Sequence, residues 1–150
     1  MEDVVLLVGA GTFAPVTAET VGGHGMHAEL MSSRRACVER VGRHVESRSP
    51  IVAMGTTSVR ALESMYWFGD MPIFGTTQLL IVPKYPFKMV DAIITNFHQP
   101  RSTLLMLVSA FLGGTPQDLF NVYQEALDRG YRFLSYGDSC IFARPSFFER

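Results

Sequence analysis

Short apolar runs typical of buried strands alternate along this chain with segments in which apolar residues recur every three or four positions. The strand-type runs cover residues 4–8, 51–54, 76–82, 90–95 and 140–143. The segments of helical periodicity begin near residues 34, 58, 103 and 116, and the last one ends at Gly130. Strands that alternate with helices in this way predict an α/β layered domain with a mostly parallel sheet.

The most informative stretch runs from residue 93 to residue 113. Its apolar start predicts a buried strand, and the apolar segment from Thr103 predicts a buried helix with Ser102 as its N-cap. The loop between them contains Pro100, which disfavours helix at the preceding residue. It also carries several polar side chains, namely Asn96, His98, Gln99 and Arg101. Because free backbone N–H groups and the helix dipole point to such junctions, we favour a ligand site over a solvated loop.

A second junction of the same kind follows the run 51–54. Gly55 precedes three hydroxyl residues at the start of a predicted helix, Thr56, Thr57 and Ser58. Hydroxyl and N–H groups at a helix start can bind an anion or a carboxylate, but the same residues also serve as plain N-caps. The residues alone leave both interpretations open.

A turn of small residues, 9–13, follows the first apolar run. Such a turn lets the backbone approach a ligand or another loop closely, which makes Gly11, Thr12 and Phe13 candidate contact residues. As a nucleotide-binding fingerprint the turn is weak, because the third glycine and a directly following helix are absent.

Two histidines and a glutamate lie close together in the sequence, at His24, His27 and Glu29. A metal site is one interpretation, but zinc sites usually have further Cys or His ligands, and none is nearby. A general base or substrate ligand is the second interpretation, and a structural hydrogen-bonding pair is the third. The residues favour the last two over a metal.

Composition narrows the function classes. The chain has 150 residues, 47% of them hydrophobic and 18% charged, as expected of one globular domain. Its net charge of −1 argues against bulk electrostatic binding of nucleic acid, although a local basic patch could bind RNA. The two cysteines lie far apart and predict free thiols. No apolar run reaches membrane-spanning length and the acidic start has no signal-peptide layout, so we expect a cytoplasmic protein without membrane contact.

Five motifs follow one another along almost the whole chain. They are Val-Gly-Ala-Gly-Thr-Phe-Ala-Pro-Val at 8–16, His-Gly-Met-His-Ala-Glu at 24–29, Ala-Met-Gly-Thr-Thr-Ser-Val-Arg-Ala-Leu-Glu at 53–63, Thr-Asn-Phe-His-Gln-Pro-Arg-Ser-Thr-Leu-Leu-Met-Leu-Val-Ser-Ala-Phe at 95–111 and Tyr-Arg-Phe-Leu-Ser-Tyr-Gly-Asp at 131–138. Taken together and in this order, they resemble the S-adenosylmethionine:tRNA ribosyltransferase-isomerase family of the queuosine pathway. Each motif alone would be weak evidence.

The resemblance implies an unusual transfer reaction. The ribosyl part of S-adenosylmethionine moves to the aminomethyl group of a 7-deazaguanine at the wobble position of tRNA and isomerises, giving epoxyqueuosine and releasing adenine and methionine. S-adenosylmethionine is then a substrate rather than a cofactor, and no metal is implied. The implied partners are S-adenosylmethionine and tRNA carrying 7-aminomethyl-7-deazaguanine, and the family suggests a monomer.

The resemblance also implies a fold and a domain. The family's enzymes are longer than this chain and combine a three-layer α/β/α sandwich, with a mostly parallel sheet, and an inserted β-barrel. Residues 1–150 are similar to the carboxyl-terminal part of the α/β domain, and the barrel is absent from this chain. We therefore expect the isolated chain to be incomplete and to show little or no turnover.

The implied chemistry needs a base, hydrogen-bond donors and stacking partners. The carbon next to a sulfonium must lose a proton, and the candidate bases are His27, His24 and Glu29, with His98 next. The candidate donors to the ribose hydroxyls and the methionine carboxylate are Thr56, Thr57, Ser58, Arg60, Asn96 and Arg101. The candidate stacking partners of a nucleobase are Phe13, Phe97 and Tyr136. The remaining substrate-binding candidates are Gly11, Thr12, Ser102 and Asp138.

Some positions depart from the family's usual pattern. They are Leu7, Gly23, Lys84, Gln99 and Leu134. Lys84 stands where the family usually has glycine, and Leu134 stands where it usually has phenylalanine. We interpret them as marks of a divergent branch that differs in fine substrate contacts.

Two other function classes compete with the transferase. The first is a non-catalytic α/β binding module that keeps the motifs only as core, and the second is a metal hydrolase built on His24, His27 and Glu29. The motifs contain polar residues for which packing alone has no use, namely His27, Asn96, His98, Arg101 and Asp138. These residues favour the transferase.

Overall fold

The structure is a computed structural model that describes residues 2–9, 27–68, 74–113 and 115–148. In these residues the chain forms six strands and four α-helices. In chain order they are β1 (Val4–Leu7), β2 (Glu29–Ser33), α1 (Arg35–Glu46), β3 (Val52–Met54), α2 (Thr56–Trp67), β4 (Phe74–Thr77), β5 (Ala92–Asn96), α3 (Thr103–Leu112), α4 (Pro116–Asp128) and β6 (Ser139–Ala143), followed by a short 3-10 helix (Pro145–Phe147).

The described strands form two three-stranded sheets. Sheet 1 has the order β1-β2-β4, and both of its strand pairs are antiparallel. Sheet 2 has the order β3-β5-β6, in which β3 and β5 are parallel and β5 and β6 are antiparallel. The fold is therefore mixed α/β, as the alternation of strands and helices predicted.

The expected mostly parallel sheet is not found, because only one of the four strand pairs in the described residues is parallel. Apolar runs report burial but not the direction of the neighbouring strand. Between β5 and β6 the chain forms two helices that pack on each other, α3 and α4, and such a helical hairpin returns the chain to the end at which it left the sheet. Asn96 at the end of β5 accordingly lies opposite Ser139 at the start of β6.

The expected three-layer arrangement is also not found within the described residues. One face of sheet 2 carries Ala53, Ile93 and Phe142, which join residues of α2 and α3 in a single hydrophobic core. The opposite face keeps exposed apolar side chains. The helices described here thus cover one face of sheet 2.

Helix α2 lies at the centre of the core. Its predicted apolar stripe of Val59, Leu62 and Met65 is buried. The polar side chains of Glu63 and Ser64 are buried too, and they bond to neighbouring segments. The Ser64 and Thr77 hydroxyls lie 2.6 Å apart and join α2 to β4. A helix buried nearly all round is typical of the middle of a layered domain.

The Glu63 carboxylate organises the segment that leads into β5. It is fully buried and accepts hydrogen bonds at 3.0–3.2 Å from the backbone N–H groups of Lys88, Met89 and Val90. The Tyr85 hydroxyl donates to the same carboxylate at 3.2 Å. Four donors satisfy a charge that would otherwise be costly to bury, so Glu63 holds the loop 85–90 against α2.

The loop before this segment contains Lys84, one of the positions at which the sequence departs from the family's usual pattern. The strand predicted over residues 76–82 is shorter in the structure. It corresponds to β4, which ends at Thr77, and a turn follows later in the loop. In this turn Lys84 has φ of 75°, and the Tyr85 N–H donates to the Val82 carbonyl at 3.0 Å. Glycine adopts such a left-handed conformation without strain, which gives a physical reason for glycine at this position.

The predicted ends of the last two helices are confirmed. The Ser102 hydroxyl accepts the Leu105 N–H at 3.2 Å at the start of α3. At the start of α4, Thr115 and Asp118 form a capping box. The Thr115 hydroxyl and backbone N–H hold the pKa of the Asp118 carboxyl below its ordinary value. After α4, Gly130 has φ of 72°. Local sequence is sufficient to predict these caps, since their partners are three residues apart.

Candidate functional site

The two predicted strand-to-helix junctions meet at one edge of sheet 2. Because β3 and β5 are parallel, both end at this edge, and the Gly55 N–H after β3 donates to the Ile94 carbonyl of β5 at 2.8 Å. Helices α2 and α3 begin there, and the antiparallel β6 starts beside the end of β5. We call this edge the strand-end site, and it comprises residues 55–58, 96–102 and 136–138. The arrangement is the one in which α/β sheets bind ligands.

The start of α2 presents backbone donors at this edge. Gly55 has φ of 86°, and no side chain caps the helix. The Ser58 hydroxyl is already used, since it donates to the Met54 carbonyl at 2.7 Å. Thr56 is buried and Thr57 is half-buried. The first-turn N–H groups and the helix dipole therefore give this end of the sheet a positive field that suits an anion.

Asn96 ties the end of β5 to the loop before β6. Its side-chain amide donates to the Asp138 carbonyl at 3.1 Å and to the Gly137 carbonyl at 3.5 Å. The Asp138 carboxylate accepts the backbone N–H of Arg132 at 2.7 Å and its guanidinium at 3.2 Å, and these contacts hold the pKa of Asp138 below its ordinary value. A Cβ at Gly137 would collide with the carbonyl oxygens of Arg132 and Phe133. Asn96 and Asp138 thus build the walls of the site.

His98 is the best-placed candidate base among the described residues of the site. Its Nε2 lies 3.1 Å from the Thr95 hydroxyl, and its backbone N–H donates to the Tyr123 hydroxyl at 3.1 Å. Burial lowers the pKa of His98 below its ordinary value, and burial raises the pKa of Tyr123 to about 12. The imidazole is therefore neutral near pH 7, as a proton acceptor must be.

The two described candidate stacking partners have opposite environments. Phe97 is buried in an aromatic cluster, with its ring stacked on Phe133 at 5.1 Å and edge-on to Tyr123 at 5.5 Å. Tyr136 is 99% exposed, so its ring is available to a ligand. Phe97 is therefore a packing residue of the site, and its ring faces are not open to a ligand in the way that the ring of Tyr136 is.

Arg101 lies at the mouth of an apolar cavity of about 350 Å³. The cavity lies between α3, α4 and the loop at Pro83, and Ser102 and Met106 contribute to its lining. Arg101 is exposed and has φ of 56°. A strained residue at a pocket mouth is a common feature of ligand sites.

Glu29 and Arg60 come together in a buried ion pair. Glu29 Oε2 lies 2.7 Å from Arg60 Nη1, and both side chains are almost completely buried. The Arg60 Nε donates to the Leu79 carbonyl at 3.3 Å. Within the described residues the pair is close but not aligned as a hydrogen bond, and Glu29 Oε1 and Arg60 Nη2 have no partner. The pair joins the start of β2 to α2, two residues after the exposed His27.

Four candidate residues lie outside the described part of the chain, namely Gly11, Thr12, Phe13 and His24. Across residues 2–9, 27–68, 74–113 and 115–148, no group of three His, Cys, Asp or Glu side chains could hold a metal ion. Over the same ranges no helix is long and apolar enough to cross a membrane. Cys37 and Cys140 are free thiols, as predicted.

Sequence reasoning missed Thr95 and Tyr123 as neighbours of His98. Tyr123 belongs to the apolar stripe of α4, and nothing in that stripe shows that its hydroxyl reaches a loop 25 residues earlier. Thr95 lies three residues before His98, so the pair was detectable as a local hydrogen-bonding possibility.

Comparisons with known proteins agree with the resemblance. The family model described as queuosine biosynthesis protein matches residues 1–142. An S-adenosylmethionine:tRNA ribosyltransferase-isomerase of Pelodictyon phaeoclathratiforme is 46% identical over 148 residues, which are 95% of this chain and 43% of the relative. The crystal structure of an S-adenosylmethionine tRNA ribosyltransferase from Thermotoga maritima matches with a TM-score of 0.68 and 43% identity, over 75% of this chain and 40% of that one. The chain thus spans less than half the length of each relative.

Proposed function

The chain belongs to the queuosine biosynthesis protein family, and on this premise we propose that it is the carboxyl-terminal part of an S-adenosylmethionine:tRNA ribosyltransferase-isomerase. The complete enzyme would transfer the ribosyl group of S-adenosylmethionine to 7-aminomethyl-7-deazaguanine in tRNA and isomerise it to epoxyqueuosine, releasing adenine and methionine. A tRNA substrate implies a cytoplasmic location.

The observation that supports this function is the convergence of three family motifs at the strand-end site. Residues 55–58, 96–102 and 136–138 come from distant parts of the chain and meet around the ends of β3 and β5. A module that kept the motifs only as core would not need an exposed Arg101 and Tyr136 at this edge. The convergence therefore favours a substrate site over a non-catalytic binding module.

The site offers the groups that the chemistry needs. The positive end of α2 with the Thr57 hydroxyl suits the methionine carboxylate. The apolar cavity beside Arg101 suits a flat heterocycle, with the guanidinium as donor or stacking plane. The neutral His98 suits the removal of a proton from the carbon next to the sulfonium, and His27 remains the alternative base.

A calorimetric titration of S-adenosylmethionine into the chain tests the site. We expect saturable binding that weakens at least about 10-fold in Arg101→Ala, because a charged donor is lost. Arg129→Ala is the matched control, since Arg129 is an exposed arginine paired with Glu125 on the surface of α4. Equal weakening by both substitutions would exclude a specific role for Arg101.

The stretch matched here is 43% of the relative's length, and we expect the activity to need residues from the rest of that length as well. Adenine release from S-adenosylmethionine should be absent with the chain alone. It should appear when the chain is combined with the remainder of the Pelodictyon relative and with tRNA that carries the deazaguanine. Absence of adenine release from that combination, with an intact relative active in parallel, would contradict the proposed function.

A further inference from the structure

A second cavity, of about 510 Å³, adjoins the cavity at Arg101. Pro83 and Ser109 line both cavities, so the two form one groove beside α3. Lys84 and the start of α4 at Thr115 contribute to the walls of the second cavity. We call the two cavities together the α3–α4 groove. It connects the strand-end site, at Arg101, with the turn that contains Lys84.

The groove carries a net positive charge, although the whole chain has a net charge of −1. Its two basic residues, Lys84 and Arg101, are both exposed. Within the part of the chain that the structure describes, no ion pair engages either of them. The acidic residue among the described walls is Asp118, whose carboxylate accepts the Thr115 N–H at 2.6 Å and the Thr115 hydroxyl at 2.8 Å. Two free cations beside one engaged carboxylate suit an anionic ligand.

Both cations of the groove have left-handed backbone conformations. Four non-glycine residues have positive φ in the described ranges, and Lys84, at 75°, and Arg101, at 56°, are two of them. Such a conformation costs stability in a residue with a Cβ, and strained residues cluster at ligand sites. Because the Lys84 side chain is exposed, packing does not compensate for the strain. The ammonium group is therefore the feature of Lys84 that calls for a ligand.

The turn that presents Lys84 is fixed by hydrogen bonds of its neighbour. The Tyr85 N–H donates to the Val82 carbonyl at 3.0 Å, and the Tyr85 hydroxyl donates to the buried Glu63 carboxylate at 3.2 Å. The same hydroxyl accepts the Trp67 Nε1–H at 2.6 Å. A ligand that binds the ammonium group thus meets an ordered turn and does not have to order the backbone first.

The two cations are separated by most of the length of α3. Arg101 precedes the helix, whereas Lys84 shares a cavity with Ser109 and with Gly113, which follows the last residue of the helix. At 1.5 Å per residue, the 10 residues of α3 extend about 15 Å. A stacked strand of nucleic acid advances about 3.4 Å per nucleotide, so this length corresponds to about four nucleotides. A short strand therefore matches the spacing of the two cations better than a single phosphate does.

We propose that the α3–α4 groove binds a strand of the RNA substrate and that Lys84 contacts one of its backbone phosphates. Arg101 marks the end of the groove at the strand-end site, so the strand leads from that site to Lys84. The wall between the cations includes Leu105, Met106 and Leu119, and its apolar surface suits the ribose and base faces of the same strand. The identification of the polyanion as RNA rests on the proposed function, whereas the charge and shape of the groove do not.

Fluorescence anisotropy of a labelled tRNA anticodon stem-loop, titrated with the chain, tests the groove. We expect saturable binding at about 50 mM salt that weakens as the salt concentration rises, because phosphate contacts release counterions. Lys84→Gly should weaken binding about 5- to 10-fold and should reduce the slope of log affinity against log salt by about 0.7–0.9, the contribution of one phosphate contact. Lys84→Arg keeps the charge and should bind within about 2-fold of the parent chain.

Two controls separate this contact from general charge and from folding. Arg43→Ala removes an exposed positive charge of α1, a helix with no residue among the described walls of the groove, and should leave the affinity and the salt slope unchanged. Glycine adopts the left-handed conformation of Lys84 without strain, so Lys84→Gly should be at least as stable as the parent chain in urea unfolding. A loss of RNA affinity in a chain of undiminished stability cannot come from unfolding.

Four results would overturn the proposal. They are the absence of saturable RNA binding, an unchanged affinity in Lys84→Gly, equal weakening by Lys84→Gly and Arg43→Ala, and displacement of the RNA by inorganic phosphate at an equal concentration of phosphate groups. The last result would assign the groove to a free phosphate. Because these titrations involve no turnover, absence of adenine release with the Lys84 effect intact would contradict the proposed function alone. Adenine release without the Lys84 effect would contradict this inference alone.

Discussion

Replacement of Glu63 by glutamine should strongly destabilise the chain without creating a cavity. Glu63 is fully buried, and its carboxylate receives three backbone N–H groups and the Tyr85 hydroxyl at 3.0–3.2 Å. Glutamine has the same shape but replaces one oxygen with an NH₂ group, so it cannot accept all of these bonds. It also removes the charge that strengthens the bonds that remain.

The magnitude follows from the number of bonds affected. The Glu63 Oε2 receives the Tyr85 hydroxyl, Oε1 receives the Met89 and Val90 N–H groups, and the Lys88 N–H is shared by both oxygens. A hydrogen bond to a charged group contributes about 1.5–3 kcal/mol, and an unpaired buried donor costs a similar amount. The Tyr85 hydroxyl already accepts the Trp67 Nε1–H at 2.6 Å, so it is poorly placed to accept from the new NH₂, but the Lys88 N–H can keep its bond to the remaining oxygen. We therefore expect a net loss of about 2–4 kcal/mol in the free energy of unfolding.

Urea unfolding followed by circular dichroism measures this loss. With an m-value of about 2 kcal/mol per molar urea, the middle of the usual range for small domains, the midpoint should fall by about 1–2 M. Glu125→Gln is the control, since the Glu125 side chain is 59% exposed in a surface ion pair, and it should change stability by at most about 0.5 kcal/mol. If Glu63→Gln is as stable as the control, the Glu63 carboxylate does not hold the loop 85–90 in the way described.

Three further predictions concern strain, buried charge and pH. Lys84→Gly should stabilise the chain by about 0.5–1 kcal/mol in urea unfolding because glycine adopts the left-handed conformation without strain. Lys84→Ala keeps the Cβ and should not stabilise the chain, so a gain in stability from Lys84→Ala but not from Lys84→Gly would contradict this reasoning. Arg60→Met should lower the free energy of unfolding by about 3–5 kcal/mol because Glu29 remains buried without its partner. Adding Glu29→Leu should restore part of this stability, whereas strictly additive effects of the two substitutions would show that the two side chains are not coupled. Burial lowers the pKa of His98 in the folded chain, so the unfolded chain binds the proton more readily, and the thermal midpoint should fall as the pH drops from above 6.5 toward the folded pKa. This pH slope should be smaller in His98→Gln, and an unchanged slope would assign it to another group.

The sequence by itself was sufficient for features whose partners lie close together along the chain. The Ser102 cap, the Thr115–Asp118 capping box and the glycine after α4 were predicted, because each involves residues within one helical turn. The predicted apolar stripe of α2 was confirmed because its residues are spaced three positions apart and so lie on one face of the helix. The ordered motifs were sufficient for the family, and the strand-to-helix junctions were sufficient to bring residues 55–58 and 96–102 to one edge of sheet 2.

Only the tertiary structure decided the direction of the strands and the partners of the buried polar groups. The antiparallel pairing of β5 with β6 depends on how α3 and α4 pack, which apolar periodicity does not encode. Glu63 meets its backbone donors 25 to 27 residues away, and Asn96 meets the Asp138 carbonyl 42 residues away. Hydrogen bonds and ion pairs of this kind join elements that are distant in sequence, so they exist only after the elements have packed, and local pattern carries no signal for them.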